Sequence, residues 1–188
     1  MLSIAQRAGV NKALIHYYFR SKERLYEAIL NDMLKKVWTS IGTYLKEIKE
    51  PDDMRSLIQT FVYAHITTMR AYPDFPMMFL REFADGGKYI PDIAVGMIDS
   101  FGEIPQLLFA NFKKGIQQKK IRQLDPVHIM ISVLGMCVSS FLMRPIITVL
   151  YKKFSDTLFT FDDSYFNKRI ETITTIVCDG ILIGSKSK

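Results

Sequence analysis

Apolar residues recur at helical spacing along nearly the whole chain, and no convincing stretch alternates with the period of two that marks a strand. Ile4, Ala5 and Ala8 give one short stripe, and Ile15, Tyr18 and Phe19 a second. Gly9-Val10-Asn11 separates the two, and Phe19-Arg20-Ser21 closes the second. A long third helix is predicted from Lys22 to Ile48, with Leu25, Ile29, Met33, Val37, Ile41, Leu45 and Ile48 along one side. Pro51-Asp52-Asp53 opens a fourth, carrying Leu57, Ile58, Phe61, Val62, His65 and Met69 and stopping near Ala71-Tyr72-Pro73. A shorter helix covers Phe75 to Ala84 and ends at Gly86-Gly87, and another, broken around Pro91 and Pro105, covers Ile93 to Lys120. Asp125-Pro126 opens a helix expected to run unbroken to Phe154. Residues 155–160 form a loop, and Asp162-Asp163 start a last helix ending near Gly184.

The fold class that follows is all-α: a small N-terminal helix-turn-helix module, residues 1–46, joined to a larger helical body, residues 47–188. The junction falls inside the long third helix rather than in a flexible linker, so movement of the body is expected to swing the module as a lever.

Charge sharpens the picture. The chain carries a net +6, and residues 1–24 hold +4 of it, from Arg7, Lys12, Arg20, Lys22 and Arg24 against Glu23. Such a local excess lowers the free energy of approach to phosphates. Cys137 and Cys178 are expected as buried free thiols in a reducing compartment, which with a helical N-terminus lacking a secretory pattern places the protein in the cytoplasm. From Pro126 to Met143 no charged residue occurs, close to the ~18-residue limit of a membrane span. His128, Ser132, Ser139 and Ser140 interrupt that run, and it reads as a helix buried on two sides, with no membrane as partner.

In a helix-turn-helix the second helix enters the major groove and the first braces it. Ala5 and Ala8 allow close approach, Gly9 serves the tight turn, Val10 plugs the corner and Asn11 caps the second helix. Ile15, Tyr18 and Phe19 are expected inward, which leaves Lys12, Ala13, His16 and Tyr17 toward DNA. Ser21 reads as the cap of the third helix, with Glu23 in its first turn.

Ile4-Ala5-x-x-Ala8-Gly9-Val10-Asn11-Lys12-x-x-Ile15-x-x-Tyr18-Phe19-x-Ser21-Lys22-Glu23-x-Leu25 resembles the DNA-binding signature of TetR-type bacterial transcriptional repressors. The resemblance implies a homodimer on a palindromic double-stranded DNA operator, released by a small-molecule effector. It implies that Asn11 and Lys12 meet the groove and phosphates, that Ala13 lies near base edges, and that Lys22 reaches a phosphate. His16 stands where the family most often has a phosphate-contacting tyrosine, and Tyr17 where it often has a histidine. The family also has a helix before the Ile4–Ala8 helix. Only Met1-Leu2-Ser3 precede it here, so a truncated chain is expected, with Ile4, Ile15 and Phe19 exposed on one side.

The body carries no catalytic constellation, no P-loop spacing at Gly86-Gly87-Lys88 and no metal-ligand cluster, so neither an enzyme, a metal nor a cofactor is expected. Two apolar faces are read on the segment opened by Pro126: Val127, Met130, Leu134, Val138 and Phe141, and Ile129, Val133, Met136, Cys137 and Met143. Together with the last helix (Ile170, Ile173, Ile176, Val177, Ile181, Leu182) it is expected to form a two-fold interface, over about 126–154 and 162–184. An apolar effector pocket is expected from Phe61, His65, Met69, Phe79, Phe83, Phe101 and Met136. His65 reads first as a satisfied core histidine, and Arg81 and Glu82 as surface charges. The expected function is a ligand-responsive repressor. The rivals are a ligand-binding and dimerisation protein with a non-functional DNA-binding module, and an enzyme using the pocket.

Overall fold

The computed structural model describes residues 1–47, 53–154 and 159–184, with the side chains of 45–47 outside that description. The expectations for Leu45, Ile48 and Pro51-Asp52, and for most of the 155–160 loop, therefore lie outside the described residues.

Ten helices make up the described residues: α1 (Leu2–Ala8), α2 (Lys12–Phe19), α3 (Lys22–Glu47), α4 (Met54–Ala71), α5 (Phe75–Ala84), α6 (Ile90–Phe101), α7 (Glu103–Gln117), α8 (Pro126–Leu142), α9 (Arg144–Phe154) and α10 (Asp163–Ile181). Their starts follow the capping chemistry. The Asp53 carboxylate accepts the Arg55 and Ser56 N–H groups, Asp125 accepts that of Val127, and Asp162 that of Tyr165. Hydrogen bonds to Tyr165 N–H and the Thr160 hydroxyl hold the Asp162 carboxyl below its ordinary range.

The body is organised around α4, which is flanked by α3, α10, α8 and α7. Its inward residues Leu57, Ile58, Val62, Ile66 and Met69 join Leu30 of α3, Val133, Cys137 and Phe141 of α8, and Ile170, Ile173, Val177 and Ile181 of α10 in one core. Arg169 of α10 ties α8 to this core, donating from Nε to Ser140 Oγ at 2.8 Å and from Nη2 to the Met136 carbonyl at 2.9 Å. Burial pushes the Cys137 thiol up to about 12, so it stays protonated in the core. Beyond α10, Ile121 and Leu182 form an isolated antiparallel bridge, with Arg122 N–H donating to the Ile181 carbonyl and Ile183 N–H to that of Lys120, each at 2.8 Å.

Three expectations change. The 93–120 segment breaks at Gly102, where α6 and α7 meet at 84°. Pro91 and Pro105 instead sit in first turns, where a missing N–H breaks no helical bond. The helix opened by Pro126 does not reach Phe154 unbroken: it stops at Leu142, and α9 leaves it at 59°. Pro145 explains the break, since it donates no N–H and its ring clashes with the turn before it. The last helix ends at Ile181, because Leu182 turns extended into the bridge to Ile121.

The faces of α8 also divide differently. Val133, Cys137, Ser140 and Phe141 point inward, whereas Val127 and Ile131 are exposed. Phe141 thus belongs to the core face and not with Val127. No single described helix is long and apolar enough to cross a membrane.

Candidate functional site

The N-terminal module is built from the turn outward. Gly9 adopts φ 65, the left-handed conformation that glycine enters without a Cβ clash, and Val10 N–H returns to the Ala5 carbonyl at 3.0 Å. Asn11 Oδ1 accepts the Ala13 N–H at 2.8 Å and so fixes the start of α2. Ser21 Oγ accepts the Arg24 N–H at 3.2 Å at the start of α3. The Glu23 carboxyl is held below its ordinary range by its own backbone N–H and the Ser21 hydroxyl.

Ala5 and Ile15 are buried, while Ile4 and Phe19 are half-buried. Ile15 is covered despite the short chain before it, because α2 packs on both α1 and α3. Asn11, Lys12, Ala13, His16, Tyr17 and Lys22 are all exposed. Lys12, Ala13, His16 and Tyr17 share one side of α2, and Lys22 opens α3 beside its end.

Tyr18 was expected inward and is 71% exposed; Val10, the expected corner plug, is exposed too. Ile15 is the one buried residue of α2, and the Tyr18 ring meets Tyr17 edge-on at 5.3 Å instead of entering the core. Arg20 holds φ 61 in the turn that follows, with its guanidinium 5.7 Å from the Tyr17 ring centroid.

The body holds an apolar cavity of about 70 Å³ between α3, α4, α7 and α8. Trp38 comes from α3, Leu57, Ile58 and Phe61 from α4, Pro105, Leu108, Phe109 and Phe112 from α7, and Pro126, Ile129, Met130 and Val133 from α8. No charged side chain is among them.

Of the residues expected around an effector, Phe61 stands in this wall. His65 and Met69 are buried one and two turns further along α4 and are not in it. The His65 ring lies 4.2 Å from that of Phe61, and its Nδ1 is 2.7 Å from the Phe61 carbonyl, as expected of a satisfied core histidine. Burial pushes its imidazole down to about 4, so it is neutral at physiological pH. Phe79 is half-buried between the Phe75 and Phe83 rings, and Phe83 itself is 61% exposed. Phe101 lines a separate surface depression with Thr39, Ile98 and Gly102. Met136 is half-buried and engages Arg169 through its carbonyl.

The wall differs from that expectation because richness in Phe and Met does not say which way a helix faces. The signal that finds it is on α7, where Pro105, Leu108, Phe109 and Phe112 follow the i, i+3, i+4, i+7 spacing of one side. Glu82 also departs from its reading as a surface charge. It is 2% exposed and accepts the Tyr89 N–H at 2.5 Å, closing the α5–α6 turn, while Arg81 stays exposed. Among the described residues no group of three or more His, Cys, Asp or Glu could hold a metal ion.

With this geometry in place, comparison with known proteins is decisive. Residues 1–29 match the model of bacterial regulatory proteins of the tetR family, and residues 30–184 that of the C-terminal region of YcdC-like proteins. The chain belongs to the TetR family. The seam between the two models falls inside α3, the helix shared by module and body. The HTH-type transcriptional regulator RutR of Escherichia coli strain K12 is 26% identical over 178 residues, covering 95% of this chain and 78% of RutR. RutR of Shigella flexneri gives the same figures. The solved TetR-family regulator PfmR from Thermus thermophilus has a TM-score of 0.61 at 21% identity over 97% of this chain and 87% of its own, a likeness of fold. This TetR-family chain is a helix-turn-helix transcriptional regulator, and its relatives are regulators rather than enzymes.

Proposed function

We propose that the protein is a cytoplasmic, ligand-controlled repressor that binds a palindromic operator as a homodimer. In this reading α2 enters the major groove. Asn11, Lys12 and Ala13 lead at its start, His16 and Tyr17 flank them, and Lys22 meets a phosphate from the start of α3. Dimerisation uses the outward faces of the last helices, over about 126–154 and 162–184, where Ile131, Val149 and Ile176 are exposed. A Cβ added at Gly135 or Gly180 would meet nothing within 4 Å, which leaves room for close helix approach.

The effector is a compact, uncharged, largely hydrocarbon molecule in the α3–α4–α7–α8 cavity. An ionised group there would lose its water with no partner in return. The volume of about 70 Å³ suits a one-ring molecule, since each enclosed water needs roughly 10–15 Å³ on this measure.

The observation that carries the proposal is α3 itself. It bears Trp38 in the cavity wall and Lys22 on the exposed basic surface, sixteen residues apart on one unbroken helix, or about 24 Å at the α-helical rise. A ligand that binds better to one tilt of α3 shifts the population of the recognition surface.

The test is selection of bound genomic fragments by the protein, followed by anisotropy titration at several salt concentrations. Lys22→Gln is expected to weaken binding to all sequences alike and to reduce the salt slope by about one; an unchanged slope removes Lys22 from the phosphate contacts. Val133→Phe, which fills the cavity, is expected to keep DNA binding and abolish release by neutral benzene derivatives. Release that persists places the effector elsewhere.

A further inference from the structure

α4 and α10 lie side by side and antiparallel, and an ion pair ties them near each end: Arg55 with Asp179 at 3.5 Å, and Arg70 with Asp163. Between the pairs the two helices leave a groove of about 370 Å³. Arg55, Gln59 and Tyr63 of α4 line it, facing Glu171, Thr174 and Thr175 of α10. It shares no lining residue with the apolar cavity. Glu171 lies five residues before the exposed Ile176, about 140° round α10, so the groove is turned away from the outward face of that helix.

Thr174 is the informative member. It is 5% exposed, and its hydroxyl has no hydrogen-bond partner. Thr43, Thr67, Thr148 and Thr172 each donate to the carbonyl four residues back. Thr174 makes no such bond to Ile170. Buried hydroxyls in native proteins are nearly always bonded, so this one is left for a molecule that fills the groove.

The chemistry is graded along the groove. The Arg55–Asp179 pair sets a register in which Gln59 stands opposite Thr175 and Tyr63 opposite Glu171. A guanidinium therefore marks one end. A carboxylate beside a phenol ring follows eight residues along, about 12 Å, with an amide and two hydroxyls between. At 3.5 Å the Asp179 contact is loose for a charged pair, which leaves guanidinium N–H groups for a second acceptor. The Tyr63 ring is held edge-on against Tyr44 at 5.0 Å.

We infer that this groove binds a short zwitterionic peptide of two or three residues. Its carboxylate meets Arg55, its ammonium meets Glu171 and the Tyr63 ring, and a peptide group between them meets Thr174 and Gln59. An extended chain of three residues spans about 10 Å, which matches the separation of the two charges. The inference depends neither on the dimer nor on the apolar effector.

The test is calorimetric titration of the whole chain with triglycine, with circular dichroism confirming the fold of each variant. Saturable binding is expected, weakened about tenfold or more by each of Arg55→Gln, Glu171→Gln and Thr174→Val. Thr172→Val, the same change on another side of α10, is expected to leave it unaltered. N-acetylated triglycine should bind the wild type as weakly as triglycine binds Glu171→Gln, and triglycine amide as weakly as triglycine binds Arg55→Gln. Absence of triglycine binding, or binding that the three groove variants leave unchanged, overturns the site. Binding of glucose that Thr174→Val weakens, with none of triglycine, makes the ligand a polyol and overturns the peptide. A lower melting temperature in Thr174→Val shows that the hydroxyl serves the fold and overturns its part in binding.

Discussion

The N-terminal module and the body invert each other. In α1 and α2 two residues are buried, Ala5 and Ile15, and nearly every other side chain faces solvent. The body buries a continuous core drawn from α3, α4, α8 and α10. Burial of one large apolar side chain contributes about 1.5–3 kcal/mol, so the module has little stability of its own and takes it from α3. The difference teaches where sequence constraint lies. A thin module must spend its few residues on turn, cap and contact, so its sequence is a recognisable motif. A thick core accepts many apolar combinations of the right volume, so its sequence carries architecture and little identity.

The same substitution in both regions tests this contrast most severely. Ile173→Ala, at a site with no exposure, is expected to cost about 3–5 kcal/mol and to lower the melting temperature of the whole chain, followed by circular dichroism. Ile15→Ala should cost about 2 kcal/mol, abolish DNA binding in an anisotropy assay, and leave the main transition in place. A matching fall in the main transition would show that the module is not thermodynamically thin.

Acid sharpens the contrast from the side of the body. His65 is neutral in the fold down to about pH 4 and titrates near 6.5 when unfolded. Between those values the unfolded chain binds a proton that the folded one refuses, so stability falls as pH drops through the window, by up to about 3 kcal/mol. Urea melts from pH 7 to 4.5 should show the slope for the wild type and its loss in His65→Phe; equal slopes would take His65 out of the acid response.

A smaller effect comes from the α7–α8 turn. A Cβ at Gly115 would lie 2.9 Å from Ile121 Cγ1 and closer still to Cδ1, and Ile121 is itself buried. Gly115→Ala is expected to cost about 1–3 kcal/mol by overpacking, read as a shift in urea midpoint, with Ile121→Val recovering part of it. Smallest of the set is the module's own cap. Asn11→Ala should cost about 1 kcal/mol and appear as faster amide exchange at Ala13, with the body's exchange unchanged.

The helix pattern and the turn at Gly9 were legible because each rests on local chemistry: spacing, a positive φ, a side chain that caps. Tyr18 departs from expectation because its position in the motif suggests burial, whereas α2 is packed on the side of Ile15 alone. The break before α9 is written in Arg144-Pro145, although the apolar run that continues on either side of it masks the boundary. Glu82 could not be foreseen as buried, since its partner is the backbone N–H of Tyr89 across a turn. The cavity wall was the hardest part. It takes residues from four helices, and no window of sequence contains the way four helices face one another.

The antiparallel bridge between Ile121 and Leu182 has a consequence for the order in which the molecule is made. α1, α2 and the start of α3 need only near neighbours, and domains synthesised first tend to fold first. α4, by contrast, is completed by α10, and the α7–α8 turn is fastened to Ile181 at its end and to Ile183 just beyond it. During translation the helix-turn-helix can therefore take shape on the ribosome while the core around α4 still gapes, and the body closes only once its last helix has emerged.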